Sequence, residues 1–457
     1  MNRPSRHALT LVALLLISAV TAGADEKKIS YLHDVRPILK QSCNGCHHPG
    51  KTKGQLDLTT FAALAKGGKH GASFKSGQPD ESRIVEEISG DEPTMPDEGD
   101  PLTREEVNVI RAWIAQGAID DTPPGGESHM LDAPPVYHSL PAVPALAWSP
   151  NGELLAVAGF HEVLLHRAEG SQVVARLEGE SQRIESLSFS TDGSLLAAAG
   201  GAPSEYGEIQ IWNVAERKLV RSIKATSDTL YGVSFSPDAA HVAVGCADKT
   251  VRVFTTADGK ETMRCDNHID WVFGTAFSQD GQRLSTASRD KALKLIEVST
   301  GHLIDDISRP REPLFCLARH PHEDLVAAGG DGGAIRLFKM EPRGGRLAEG
   351  DDKENSFVRE FEKLPGPIHS LAFSPDGTLL AAGSESGEAR VFNATKGNRV
   401  SQIKCEGAIF AIAFNETGKL LATTGEDGKV HVFEAETGKS VRVFDSVPLS
   451  DGTIAGK

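Results

Sequence analysis

Two thiols and an imidazole stand together near the start of this chain: Cys43 and Cys46 lie in "SCNGCHH", and His47 directly follows the second thiol. Groups of these types at this spacing support three chemistries. They can form a redox disulfide, supply half of a zinc site, or close on a haem by thioethers while the histidine reaches the iron. A redox pair of the thioredoxin kind opens a helix inside a βαβ pattern. Here the preceding "YLHDVRPILKQS" is itself helical in period. Leu32, Val35, Ile38 and Leu39 share a face, and Pro37 is tolerable in a first turn. A structural zinc site normally needs a second ligand pair, and the sequence has no other CxxC and no HxxxH. The haem clamp needs two thiols three apart and an imidazole immediately after them, and "CNGCH" has all three.

The elements that must position these groups lie on either side. In "PLTREEVNVIRAWIAQGA", Thr103 and Glu106 have the spacing of a capping box, and Leu102 and Val107 that of a hydrophobic staple. Val107, Ile110, Trp113 and Ile114 form the apolar face, and Gly117 follows as a stop. Asp80 is expected to cap a short helix that turns Ile84, Val85 and Ile88 inward. A domain of about ninety residues has a small core, and a covalently held macrocycle would supply much of its interior.

From residue 30 to about 118 the chain resembles the cytochrome c domain of the Planctomycete type, through "DVRPILKQSCNGCH", "GQLDLTTFAALAKGG", "SGQPDESRIVEEI" and "TMPDEGDPLTREEVNVIRAWIAQGA". The resemblance implies a small all-α domain with one covalently attached haem c. It makes Cys43 and Cys46 the thioether residues, His47 the proximal iron ligand and Met95 the distal one. Met95 sits among Pro, Asp and Gly with no apolar stripe to join, unlike a packing methionine. The other candidates for the sixth position are His33, His70, His129 and Met130. His48 is expected to point away into solvent.

The chain has 457 residues, 39% hydrophobic and 24% charged, an ordinary soluble composition. A net charge of −15 argues against nucleic acid, whose binders need a basic face. "MNRPSRHALTLVALLLISAVTAGADEKK" opens with Arg3 and Arg6, runs apolar for thirteen residues from Ala8 to Val20, and ends in Ala22-Gly23-Ala24. That is the pattern of a secretory signal cleaved after Ala24, and the run is shorter than the roughly 18 residues of a spanning helix. The expectation is an exported, periplasmic protein with no membrane span after signal removal.

A Pro- and Gly-rich linker, 121–139, leads into one recurring pattern. Seven copies start at Leu146, Leu187, Val233, Thr275, Leu317, Leu371 and Ile412, 41 to 54 residues apart, as in "LAFSPDGTLLAAGS". Each reads as strand, turn, strand, and is followed by a third alternating segment such as "GEARVFNA" and then a fourth. Four strands per unit of about forty residues is the blade signature, and the chain resembles a seven-bladed WD-repeat propeller over 140–446, with a tail at 447–457. Only Trp212 keeps the tryptophan of the WD dipeptide, and "RHPHED" and a charged insertion around Asp351 to Glu354 depart from the pattern.

Several residues here invite functional readings that have structural ones beside them. His268, Ser288 and Asp290 look like a triad but fall where WD-repeat blades place a hydrogen-bond network. His320 and His322 are a possible metal pair, and His161 and His166 are expected at the surface. Cys246, Cys265, Cys316 and Cys405 are read as buried free thiols, since two strand spacings, about 9.6 Å, are too far for a disulfide between Cys246 and Cys265.

The fold class is thus a small all-α cytochrome c domain, 25–120 after a signal at 1–24, followed by an all-β propeller. The function expected is electron transfer by a monohaem cytochrome, an electron carrier and not a substrate-transforming enzyme. Its partners would be redox proteins with a basic docking surface, and a protein or ligand at the propeller face. The rivals are a cytochrome–propeller oxidoreductase with a second cofactor or substrate in the propeller, and a redox- or gas-sensing scaffold.

Overall fold

The computed structural model describes residues 28–48, 51–122, 130–131, 133–169, 172–308, 310–342 and 356–450. The signal segment, His129, the run from Asp351 to Glu354 and the end of the tail lie outside the described residues. The chain divides into two units, 1–45 with 53–122 and 46–52 with 123–457. No helix of the described residues is long and apolar enough to cross a membrane.

The first unit is helical. Tyr31–Val35 is a wide π-turn, in which the Val35 N–H bonds the Ser30 carbonyl at 3.2 Å, and it runs on into α1, Arg36–Ser42. Pro37 accounts for the change of pitch, because it has no N–H and its ring crowds the carbonyl four residues back. The expected face is kept, with Leu32, Val35, Ile38 and Leu39 buried beside Tyr31. Two short helices follow, α2 (Phe61–Lys66), capped by Thr60, and α3 (Arg83–Ile88). Asp80 does not cap α3. Pro79 starts a 3-10 turn first, Ser82 takes the N-cap position, and Asp80 pairs instead with Arg111 of the last helix, α4 (Arg104–Ala115).

The capping box of α4 forms as read: the Thr103 hydroxyl accepts from the Glu106 N–H at 3.3 Å, and the Glu106 carboxylate accepts from the Thr103 N–H at 2.8 Å. Trp113 sits at the centre of the core. Its ring lies 5.1 Å from Phe74, 5.5 Å from Tyr31 and 6.1 Å from Phe61, and its indole N–H donates to the Ile119 carbonyl.

The second unit is antiparallel sheet. Five four-stranded sheets run in chain order over 230–265, 272–308, 314–360, 368–404 and 409–445, and a seven-stranded sheet covers 146–226. In the last, the unbroken strand Val173–Phe189 pairs with Phe160–Arg167 through 173–183 and with Leu195–Ala202 through 183–189. Second strands such as "LVAAGG", "LLAAGS" and "LLATTG" are buried from their second residue onward. Neighbouring sheets cover both their faces, so small and β-branched residues fill the space. The array closes on itself. Leu146, Trp148 and Val157 of the first sheet share a core with Ala411, Ala422 and Val432 of the last, and the Val143 N–H donates to the Gly425 carbonyl at 2.9 Å. Strand Ser440–Asp445 completes the last sheet from its own stretch of chain.

The second unit also reaches past the boundaries expected for it. Tyr137 and Leu449 form a parallel bridge, and the Ser450 N–H donates to the Tyr137 carbonyl at 2.9 Å. The cause is Glu162, which is 0% exposed. Its carboxylate accepts from the Tyr137 hydroxyl at 2.7 Å and from the Arg176 guanidinium at 2.6 and 2.7 Å. A buried carboxylate must be met by donors, so the end of the linker is drawn in to supply one.

The triad-like residues are joinery between strands. His268 Nδ1 lies 2.8 Å from Asp290 Oδ2, and Nε2 lies 2.8 Å from the hydroxyl of Thr286, not Ser288. The Ser288 hydroxyl donates to the Asp270 carbonyl. His161 and His166 are buried, correcting the surface reading; His166 Nε2 meets the Ser446 carbonyl at 3.0 Å across the closure. His320 is no metal ligand in waiting. Its Nδ1 accepts from the His322 and Glu323 N–H groups, and its Nε2 faces the Gly377 carbonyl.

Two consequences can be measured on the full chain. Tyr137→Phe removes a donor from a buried carboxylate and is expected to cost about 1–3 kcal/mol in urea unfolding; an unchanged midpoint would return Tyr137 to the linker. For Asp290, burial alone would raise the carboxyl, but His268 and the Ile269 and Ala292 N–H groups outweigh it and hold it at about 2. A carboxyl held below its ordinary 3.8 stabilises the fold above that pH and loses its contribution as pH falls toward 2. Asp290→Asn should therefore cost about 2 kcal/mol at pH 7 and progressively less as pH approaches 2. A difference that stays constant with pH would contradict this.

Candidate functional site

The CxxCH segment leaves the C-terminal end of α1. The Cys43 and Asn44 N–H groups both bond the Leu39 carbonyl, at 2.9 and 3.0 Å. Both thiols are free and half-buried. Burial pushes the Cys43 thiol up to about 11. A redox CxxC has the opposite setting, at a helix N-terminus with a lowered pKa. The donors of a zinc site are not gathered here either: among the described residues, no three His, Cys, Asp or Glu side chains form a metal-binding group.

Three polar atoms in this region are enclosed and meet no partner: His47 Nδ1, the Asn44 amide oxygen and the Tyr31 hydroxyl. Buried polar groups are rarely left so, and each such group calls for an explanation. Met95 is half-buried and packs on the same hydrophobic core as Cys43. Its loop is tied at both sides. The Met95 N–H donates to the Glu87 carbonyl at 2.9 Å and the Thr94 hydroxyl to the same carbonyl at 3.2 Å. Lys53 holds Asp97 at 3.2 Å and Glu98 at 3.8 Å. The other described candidates for the sixth position, His33, His70 and Met130, are exposed. His48, expected in solvent, is half-buried, because His47–His48 pairs with Lys51–Thr52 in a small hairpin. Cys43 and Met95 share a core, and with the free Cys46 thiol and the unmet His47 nitrogen the donor types fit a covalently held haem in kind and number.

The remaining thiols are free as expected, with Cys246, Cys265 and Cys316 buried and Cys405 half-buried. Burial pushes Cys246 up to about 12 and raises Cys316 further, so neither is a nucleophile at neutral pH.

One feature escaped the sequence reading. The innermost strands of the second unit enclose a channel of about 630 Å³, lined near its mouth by Glu185, Tyr231, Phe273, Phe315, His369 and Phe410. The signal was present: each of these stands two residues ahead of a repeat start.

The Planctomycete cytochrome C family model matches residues 43–99. The WD40 domain of anaphase-promoting complex subunit 4 matches 146–233 and 317–412, and the WD domain, G-beta repeat matches 217–255, 259–297 and 397–434. Among curated relatives, apoptotic protease-activating factor 1 of Mus musculus is 26% identical over 261 residues, 56% of this chain and 19% of its own length. THO complex subunit 3 of Arabidopsis thaliana is 21% identical over 274 residues, 58% of this chain and 80% of its own. Serine-threonine kinase receptor-associated protein of Bos taurus is 36% identical over 86 residues, 19% of this chain and 21% of its own. This chain thus spans only a small part of the first of these relatives. It is a protein in which a cytochrome c domain of the Planctomycete type is fused to a WD-repeat region.

Proposed function

We propose that this chain is an exported, periplasmic monohaem c-type cytochrome that transfers electrons, with its WD-repeat region as a protein-docking module. The observation that carries the reading is the placement of Cys43, from a CxxCH motif with free thiols, and Met95 on one small helical core. Cys43 and Cys46 would hold the haem through thioethers, and His47 and Met95 would ligate its iron. The bound group supplies a one-electron couple, and a thioether in place of a second imidazole favours its reduced form. The chain's own part is to bind the group, shield it from water and govern what approaches. Asp91, Glu92 and Asp100 flank the Met95 loop and are exposed, while Lys53 offsets Asp97 and Glu98. That rim suits a redox partner with a basic surface, in an association that weakens as salt rises.

The WD-repeat region is read as seven four-stranded blades. Counting Val173–Phe189 once for each neighbour it pairs with turns the seven-stranded sheet into eight strands, or two blades, beside the five four-stranded sheets. One relative is named as a subunit of a complex and another as a receptor-associated protein, which supports a docking role for the ring.

The test is expression with secretion and cytochrome maturation, followed by haem staining on a denaturing gel. The wild type should keep its haem through denaturation, and the double variant Cys43→Ala, Cys46→Ala should lose it. A double variant that stains like the wild type would sink the proposal. Met95→Ala should lower the reduction potential and open the iron to small ligands; an unchanged potential would give the sixth position to another residue.

A further inference from the structure

The channel mouth is built by one irregularity repeated around the ring. In five innermost strands the pairing skips a single residue: Glu185, Phe273, Phe315, His369 and Phe410. In Leu230–Phe235 the break falls just after Tyr231. A bulge bends its strand and re-aims a side chain, and all six of these side chains line the channel. Successive rings touch: Tyr231 to Phe273 at 5.0 Å, Phe273 to Phe315 at 5.6 Å, Phe315 to His369 at 6.0 Å and His369 to Phe410 at 5.6 Å. Two residues further along the same strands, Leu187, Val233, Leu317, Leu371 and Ile412 make an apolar floor.

This collar is half-buried, not packed away. Its one carboxylate is Glu185, which Arg183 approaches at 3.9 Å. In the loops at the same end, exposed Glu312, Asp331, Glu385, Glu406 and Glu426 are interspersed with exposed Lys249, Arg289, Lys291, Arg311 and Lys363. A guanidinium is already held by a ring at this rim, since Arg289 lies 4.4 Å from the Trp271 ring centre while paired with Asp270. A circle of rings spaced like these places each centre about 6 Å from the axis, within the reach of a cation–π attraction.

We propose that this aromatic collar receives the lysine or arginine side chain of a partner polypeptide, an inference that rests on the docking role of the ring and assigns its partner's chemistry. The methylene stem would lie along the rings and the charged head beside Glu185. The chain's net charge of −15 would draw such a segment in from a distance.

The test titrates the full-length protein, by calorimetry, with three Gly-Ser peptides that each carry three arginines, three lysines or three neutral citrullines. The two cationic peptides should saturate, and the citrulline peptide should bind at least tenfold more weakly. Phe315→Leu and Phe410→Leu keep an apolar side chain but remove a ring face, and each should weaken the arginine peptide by roughly three- to tenfold. Equal binding of the citrulline peptide would overturn the proposal while leaving the docking role standing. Arginine binding untouched by either folded variant would assign it to surface charge and overturn the proposal too. If no peptide saturates, this site and its cationic partner both fall.

Discussion

A four-stranded antiparallel sheet with two apolar faces cannot stand alone in water, and this constraint shapes most of the chain. Each sheet of the second unit is buried by the one before and the one after, and closing the array covers the two end faces that capping would otherwise have to cover. Closure is made by side chains, as Leu146 and Trp148 meet Ala422 and Val432, with the Val143 N–H bonded across the join. It is reinforced where chain ends would otherwise fray, by the Tyr137 and Leu449 pairing and by the His166 contact with the Ser446 carbonyl. The same constraint makes the second strands poor in large residues and leaves the innermost strands to surround an opening. The channel and its collar follow from the way the sheets are packed.

The helical unit meets the opposite difficulty. It has too few residues for a large interior, and its core rests on one aromatic group around Trp113. His47 Nδ1 and the Asn44 amide oxygen, both in the CxxCH segment, are enclosed without partners, whereas His268 of the second unit is bonded at both ring nitrogens. A covalently held macrocycle would answer both features, filling the apolar interior and engaging the imidazole.

Local signals are legible in the sequence, and long-range ones less so. The capping box at Thr103, the face of α1 and the blade period depend on neighbours in the chain, and all of them stand. Asp80 was misplaced because Pro79 begins a turn ahead of it, and its partner Arg111 is 31 residues away. His161 and His166 looked superficial because a two-residue alternation says which face a side chain takes, not whether a neighbouring sheet covers that face. The collar residues have a legible place two ahead of the repeat starts, but the bulge that turns them into the channel does not. The strand pattern fixes alternation, whereas the skipped residue is defined only by its pairing partner.

The central claim is that this chain moves single electrons through one haem on the CxxCH domain while the ring recruits partners. The most direct measurement is a spectroelectrochemical titration of the mature full-length protein. The account predicts one reversible one-electron wave per chain, with no second wave from the WD-repeat region. A chain with no redox transition, or with a two-electron transition that survives loss of Cys43 and Cys46, would contradict it.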